Sequence, residues 1–388
     1  MKLKGSRDNP KLRRRYNAER RFRFLCAGGI ALSVAFLVAF FADIISQGYS
    51  AFYHTQVLAG ITYSEETVEL PPLAVSDPLR PIVSRGVLRT IPQEVKADES
   101  LLGTTQERWV PAKAEIDQFR KGNSHDLDDD VVATVRELEE DGRIAFKFNT
   151  AFFTNGDSKL PEMAGIWSAA VGSIYLLALT FLFAFPIGVM TAVYLEEFAP
   201  DNRLTQTIEV NINNLAAVPS ILFGLLGLAV FINFFHVPRS SALAGGLTIG
   251  LMTLPIIIIS TRAALRAVPD PIRLGALAMG CTRWQVVRDH VLPLSLPGIL
   301  TGTIIGLAQA IGETAPLIIV GMIAYIPDAP TSITQAATVL PAQVFTWAGM
   351  PERAYVEKTA AGIIVLLAVL LTMNATAVLL RRRFERRW

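Results

Sequence analysis

Cysteine and histidine are scarce in this chain of 388 residues: Cys26 and Cys281, then His54, His125, His236 and His290, all far apart. No disulfide framework and no zinc-ligand spacing can be built from them. The two Cys fall in or beside apolar segments and read as packing residues. Charge is sparse too, at 18% of residues, and a net charge of +2 gives no global basic field suited to nucleic acid. No G-x-x-x-x-G-K-[ST] occurs, which argues against ATP binding or hydrolysis by that route, and no H-E-x-x-H. Asp126, Asp128, Asp130 and Glu137 match positions 1, 3, 5 and 12 of a calcium loop, but position 6 is Val131 where the turn needs Gly. An acidic helix start is the better reading. Neither a metal site nor an enzyme is expected.

Apolar residues are abundant, at 51% of the chain with mean hydropathy +0.39. That excess points to a bilayer protein with some water-exposed mass. Runs long enough to cross about 30 Å of hydrocarbon fall at Phe24–Ile45, Ile166–Leu195, Ile208–Phe235, Leu243–Leu265, Leu292–Ala324 and Ala360–Leu380. The first is too long for a signal h-region and lacks a small-x-small cleavage site, so it reads as an uncleaved helix. The expected fold is an all-α polytopic membrane protein of about six transmembrane helices.

Lys and Arg near the helix ends set the expected orientation. MKLKGSRDNPKLRRRYNAERRFR precedes the first run and RRRFERRW ends the chain, which places both termini in the cytoplasm. The loop Arg266–His290, with Arg266, Arg273, Arg283 and Arg288, faces the same way. The layout is a basic cytoplasmic N-terminus (1–23), a first crossing (24–45), an external segment (46–165), a membrane domain (166–381) and a basic cytoplasmic tail (382–388).

The external segment is too long for a connector in a compact bundle. Pro71, Pro72, Pro78, Pro81, Pro92 and Pro111 are expected to break its first half into short extended pieces. A helix is expected over Asp128–Asp141, capped by Gly142, and Ile144, Phe146 and Phe148 alternate like a strand. An extra periplasmic α+β domain results.

Three stretches carry more than hydrophobicity. In N-N-L-A-A-V-P-S-I-L-F-G (213–224), Pro219 within a membrane helix removes one backbone hydrogen bond, and Ser220 can re-satisfy the freed carbonyl. The stretch reads as a kinked packing helix or as a bent helix lining a pathway. The loop V-P-D-P-I-R-L-G-A-L-A-M-G-C-T-R-W-Q-V-V-R-D-H-V-L-P (268–293) shows a short helical pattern (Ile272, Leu274, Leu277, Ala278), then a break at Gly280. A second helix follows, with Trp284 and Val287 on one side and Arg283 and Arg288 on the other. Such amphipathic helices can simply lie in the headgroup layer. A knob held between two membrane helices is also a lever, because force on it moves both. In the third stretch Gly298, Gly302, Gly306 and Ala310 recur every four residues, one small-residue face for close helix packing.

The loop resembles the EAA motif of ABC-importer permeases, E-A-A-x3-G-x9-I-x-L-P. Aligned on Gly280 it reads L-G-A-x3-G-x9-H-x-L-P: Ala276, Gly280, Leu292 and Pro293 agree, while Leu274, Gly275 and His290 depart. V-P-S-I-L-F-G, L-P-I-I-I-I-S-T-R-A-A-L-R-A-V-P, L-P-G-I-L-T-G and I-G-E-T-A-P-L, in that order, resemble the PstA permeases of bacterial phosphate importers over about residues 165–388. The resemblance implies a type I, MetI-like permease in the bacterial inner membrane, among lipid. It implies a PstC-like second permease, a PstB-like ATPase dimer using ATP and Mg, and a PstS-like periplasmic phosphate-binding protein. This chain itself would bind no cofactor. Leu274, Gly275, Ala276, Gly280, Arg283, Trp284, His290, Leu292 and Pro293 would form the ATPase-coupling loop, and Pro219, Ser220, Gln309, Glu313 and Thr314 the pathway or its gate. The nearest rival is an importer of another oxyanion. A different class is a proton-coupled anion carrier with Glu313 as its proton site.

Glu313 stands near the middle of the fifth run, where a carboxylate costs roughly 2.5–3.5 kcal/mol by insertion scales. At about 100° per residue it lies about 20° from Gly306, so it is expected on the packed face, one turn beyond Gln309. It reads as one side of a pair with a Gln or Arg of a neighbouring subunit, as part of the substrate path or gate, or as a neutral buried acid. Direct phosphate contact would be repulsive. The family often has Arg where Gln309 stands, which implies that the basic group comes from the partner and that Glu313 positions it.

Overall fold

The computed structural model describes residues 10–123 and 126–384. Parts of both basic termini (1–9 and 385–388) and His125 lie outside the described residues. Among the described residues five helices are long and apolar enough to cross a membrane, Arg14–Phe52, Trp167–Phe198, Ala242–Arg266, Arg283–Gly312 and Ala354–Thr376, called here the first, second, fourth, fifth and sixth spans. A sixth crossing exists only if the bent pair Arg203–Ala216 and Ser220–Phe234 counts as one span.

The second and fourth spans form the centre of the bundle. Gly172, Leu176, Thr180, Ala184, Gly188 and Ala192 of the second span are buried at intervals of four residues. The fourth span answers with Gly246 and Gly250, where a Cβ would crowd Leu179 and Phe183. Lipid tails are as apolar as leucine, so such helices associate by close backbone approach and polar contacts. The Thr180 hydroxyl supplies one, donating to the Gly246 carbonyl at 3.1 Å.

The first span stands apart. Its helix, Pro10–Tyr49, is 40 residues long, about 60 Å at 1.5 Å per residue, and its apolar window is unburied by the rest of the chain. It meets the sixth span near Gly48, whose missing Cβ admits Ile364 and Ala360. Cys26 is exposed on this helix, so among the described residues it does not take the packing role expected of it. Cys281 is half-buried beside Val286 and Val291.

The extramembrane domain is a three-stranded antiparallel sheet with helices. Strand β1 (Tyr53–Thr62) lies between β2 (Thr105–Pro111) and β3 (Ile144–Phe148), with Val57 opposite both Val110 and Ile144. Val57, Ile61, Ile82, Ile91, Ile116 and Val135 make its core. A helix runs Asp129–Glu140 and Gly142 ends it at φ +67°. The proline-rich half differs from the extended pieces expected of it. Pro71, Pro78 and Pro92 open short helical turns, because proline pre-sets the helical φ and its missing N–H costs nothing in a first turn.

This domain is fastened to the membrane helices. Trp347, in the helix Leu340–Ala348, donates its indole N–H to Asp157 at 2.9 Å. Lys358 of the sixth span, fully enclosed, donates to the Ala164 carbonyl. Glu357 beside it accepts from Lys121 at 2.8 Å, Gln118 at 3.0 Å and Asn123 at 3.2 Å.

Candidate functional site

Two expected continuous spans are broken, and the breaks lie side by side. The run Ile208–Phe235 is two helices, Arg203–Ala216 and Ser220–Phe234, bent by 104°. Pro219 is the N-cap of the second helix (φ −55°, ψ 135°), so it removes no bond from a helix interior. Proline disfavours the α conformation in the residue before it, and the first helix accordingly caps at Ala217. Among the described residues Ser220 makes no side-chain bond back to a freed carbonyl, so the kinked helix expected around Pro219 is instead a turn between two helices.

The run Leu292–Ala324 likewise stops at Gly312. Glu313 is its extended C-cap (ψ 120°), and Ala315–Val320 forms a second short helix with Pro316 in its first turn, ended by Gly321 at φ +94°. Glu313 therefore sits at a helix break and not mid-helix; it is half-buried, as is Thr314, while Gln309 is exposed. Among the described residues neither Gln309 nor Glu313 has a side-chain hydrogen-bond or ion-pair partner. The two breaks meet through Gly224, where a Cβ would lie 2.8 Å from the Pro316 Cα and 2.9 Å from the Ile319 Cβ.

Below this point the small residues of the fifth span face the fourth. A Cβ on Gly298 would meet Ala264 at 2.7 Å, one on Gly302 would overlap Ser260, and Gly306 looks toward Ile256. Ala310 is buried with Leu176 and Ile249.

The knob between the fourth and fifth spans consists of a helix Asp270–Ala278 and a second helix entered at Arg283, capped by Thr282, which continues through a wide π turn (Val286–Val291) into Leu292. Gly280 joins them at φ +88°, with nothing within 4 Å of where a Cβ would be. Ala276, Val286 and Val291 pack inward against Leu265 and Val268. Ile272 packs on the same cluster, whereas Leu274 is 64% exposed, Leu277 44% and, at the tip, Met279 86%. Trp284 is 55% exposed whereas Val287 is buried, so they do not share the face expected of them. The π turn changes the angular step that a regular helix would keep. Gly275, Arg283, His290 and Pro293 are exposed and Leu292 is half-buried.

Charged residues that the motif reading passed over hold the knob at its base. Arg273 pairs with Glu197 at 2.8 Å and donates to the carbonyls of Leu265 (2.8 Å) and Val268 (2.6 Å). The Glu197 carboxylate raises the Arg273 pKa above its ordinary value, so the guanidinium stays charged. Glu196 takes Arg262 at 3.2 Å and Arg266 at 2.8 Å, and Arg262 also reaches Glu209 at 2.5 Å. The visible signal was the Glu196–Glu197 pair closing an apolar run, opposite three arginines spaced along the next segments.

Apolar spans around a glycine-lined core, two adjoining helix breaks and a protruding helical knob define a polytopic helical membrane component. The chain belongs to the family of binding-protein-dependent transport system inner membrane components, which matches residues 184–388. A domain of unknown function, DUF3333, matches residues 9–77 and 74–128, which take in the first span and part of the extramembrane domain. Relatives include a probable ABC transporter permease protein, YqgI, of Bacillus subtilis, 33% identical over 43% of this chain and 56% of that one. The phosphate transport system permease protein PstA 1 of Mycobacterium tuberculosis is 29% identical over 57% of this chain and 73% of its own length. PstA of Haemophilus influenzae is 32% identical over 43% and 58%. The chain thus spans little more than half the length of two of these three. Among solved structures, an inward-facing MetNI methionine ABC transporter matches 57% of this chain and 98% of its own at 21% identity, with a TM-score of 0.46.

Proposed function

We propose that the chain is a permease subunit of an ATP-driven phosphate importer, which forms the translocation pathway with a second permease and is driven by a cytoplasmic ATPase. The knob carries this reading. Leu274, Leu277, Met279 and Trp284 present an apolar surface at the end of a projection whose base packs against both the fourth and the fifth spans. Exposed clusters of this kind mark interaction sites, and a cleft on an ATPase is an occupant that would give the projection mechanical work. Relatives named as phosphate transport permeases support the substrate. In this reading the basic termini and the knob are cytoplasmic, the extramembrane domain is periplasmic, and a periplasmic binding protein delivers phosphate. The ATPase, and not this chain, uses ATP and Mg.

Glu313 and Gln309, unpartnered within the described chain beside the meeting of Gly224 and Pro316, favour a gate completed by the second permease. There Glu313 positions a partner Arg, and phosphate is bound by basic groups and amide donors. The deciding experiment is co-purification in mild detergent, then uptake of labelled phosphate by proteoliposomes of the complex. ATP-dependent uptake is the expected result. Uptake that survives ATP depletion but needs a proton gradient would replace this reading with the proton-coupled carrier, and ATP-driven uptake of sulfate alone would reassign the substrate.

A further inference from the structure

From the knob to the helix Arg203–Ala216 runs a set of buried or half-buried ion pairs, joined through the backbone of Glu196 and Glu197. Arg273 lies on the knob's first helix, and its side chain is 18% exposed while that of Glu197 is 9%. Its bonds to the Leu265 and Val268 carbonyls tie the knob to the end of the fourth span, and Glu197 ties it to the end of the second. Glu196, the neighbour of Glu197 in the chain, holds Arg262, whose side chain is 11% exposed. Arg262 in turn holds Glu209 on the helix Arg203–Ala216. No residue of that helix is buried, so the Glu209 pair is its charged attachment to the bundle. The same helix leads through the turn at Ala217–Pro219 into Gly224, which packs on Pro316 two residues beyond Thr314.

We propose that the chain Arg273–Glu197/Glu196–Arg262–Glu209 is a positioning linkage that carries displacement of the knob to the Pro219 turn and hence to the helix breaks at Gly224 and Glu313. The inference rests on the reading of the knob as the site where an ATPase applies force. Charge pairs out of water are stiff because parting them exposes an uncompensated charge in a low-dielectric setting. The linkage bypasses the glycine-lined contact of the fourth and fifth spans. It gives the Arg203–Ala216 helix a purpose that burial does not.

The test uses the complete complex in proteoliposomes and reads phosphate transported per ATP hydrolysed, for Glu209→Gln, Glu197→Gln and the double variant. Hydrolysis within twofold of wild type with transport reduced about tenfold is expected for each single variant. Because the pairs act in series, the double variant should be no worse than the poorer single one. Transport ratios left at wild type, or losses that add, or hydrolysis falling together with transport, overturn the linkage, since a merely structural role gives additive losses in both readouts. Should Glu197→Gln fail to insert, Glu209→Gln, whose side chain is 31% exposed, decides by the same ratio. A wild-type complex without ATP-driven uptake overturns the importer reading itself, and is seen before any variant is compared.

Discussion

The fastening of the extramembrane domain to the sixth span can be tested at one atom pair. Glu357→Gln keeps the shape of the side chain and removes its charge. In the native protein the carboxylate accepts from Lys121, Gln118 and Asn123, and the side chains of Lys121 and Glu357 are 11% and 13% exposed. Breaking a buried pair outright costs about 3–5 kcal/mol. Lys121 would retain Asp117 at 2.7 Å, and glutamine can still accept one hydrogen bond, so we expect about 2 kcal/mol, lost from this contact alone. That corresponds to about a 30-fold larger open population. Hydrogen exchange of the full chain in detergent at fixed pH should show the helix Ala114–Arg120 exchanging faster by that factor, with Val57 and Ile61 of the sheet unchanged. Unaltered exchange in the helix would refute the fastening. Equal acceleration in the sheet would show instead that the pair stabilises the whole domain and not its attachment.

Other outcomes follow from single contacts. Gly302→Val should lower the yield of folded protein, by about 1–3 kcal/mol of overpacking, because its Cβ overlaps Ser260; thermal melting in detergent checks this, and Ser260→Gly should restore part of the loss. Gly280 has open space around it but φ +88°, so Gly280→Val should strain the knob by about 1–2 kcal/mol and reduce phosphate uptake per ATP while membrane insertion persists, and Gly280→Asn should be milder. His54 is buried, its Nε2 has no hydrogen-bond partner among the described residues, and burial pushes its pKa down to about 4. The unfolded imidazole titrates near 6.5, so the stability that a neutral buried His54 contributes is complete above pH 6.5. It declines as pH falls toward 4, by about 3 kcal/mol at most. Asp157, pushed up by burial, works in the opposite sense, so the measurement is the difference between wild type and His54→Gln: a flatter pH profile of proteolytic resistance between pH 7 and 4.5 is expected for the variant.

How much of this was legible in the sequence depends on whether the physics is local. Burial of apolar surface adds up along a run, so the crossings at residues 24–45 and 243–265 could be read directly, as could the strand at Ile144–Phe148. The breaks at Pro219 and Glu313 were not, although both carry proline nearby. Hydropathy scores a span by composition, and composition is unchanged when a helix turns a corner. The punctuation was present: Glu209, Asn211, Asn213 and Asn214 make the segment before Pro219 too polar for hydrocarbon, and Pro316 suits the first turn of a new helix better than the middle of an old one. Pairings were the least legible. Arg262 meets Glu196 across 66 positions and Lys121 meets Glu357 across 236, and nothing in either local pattern selects those partners over other acids. The periodicity of the knob misled for a related reason. The first knob helix turns Ile272 and Ala276 toward the bundle and leaves Leu274 and Leu277 exposed, so its apolar residues do not share one buried side. The apolar spacing therefore marked the helix correctly but did not say which of its apolar residues the fourth and fifth spans would bury.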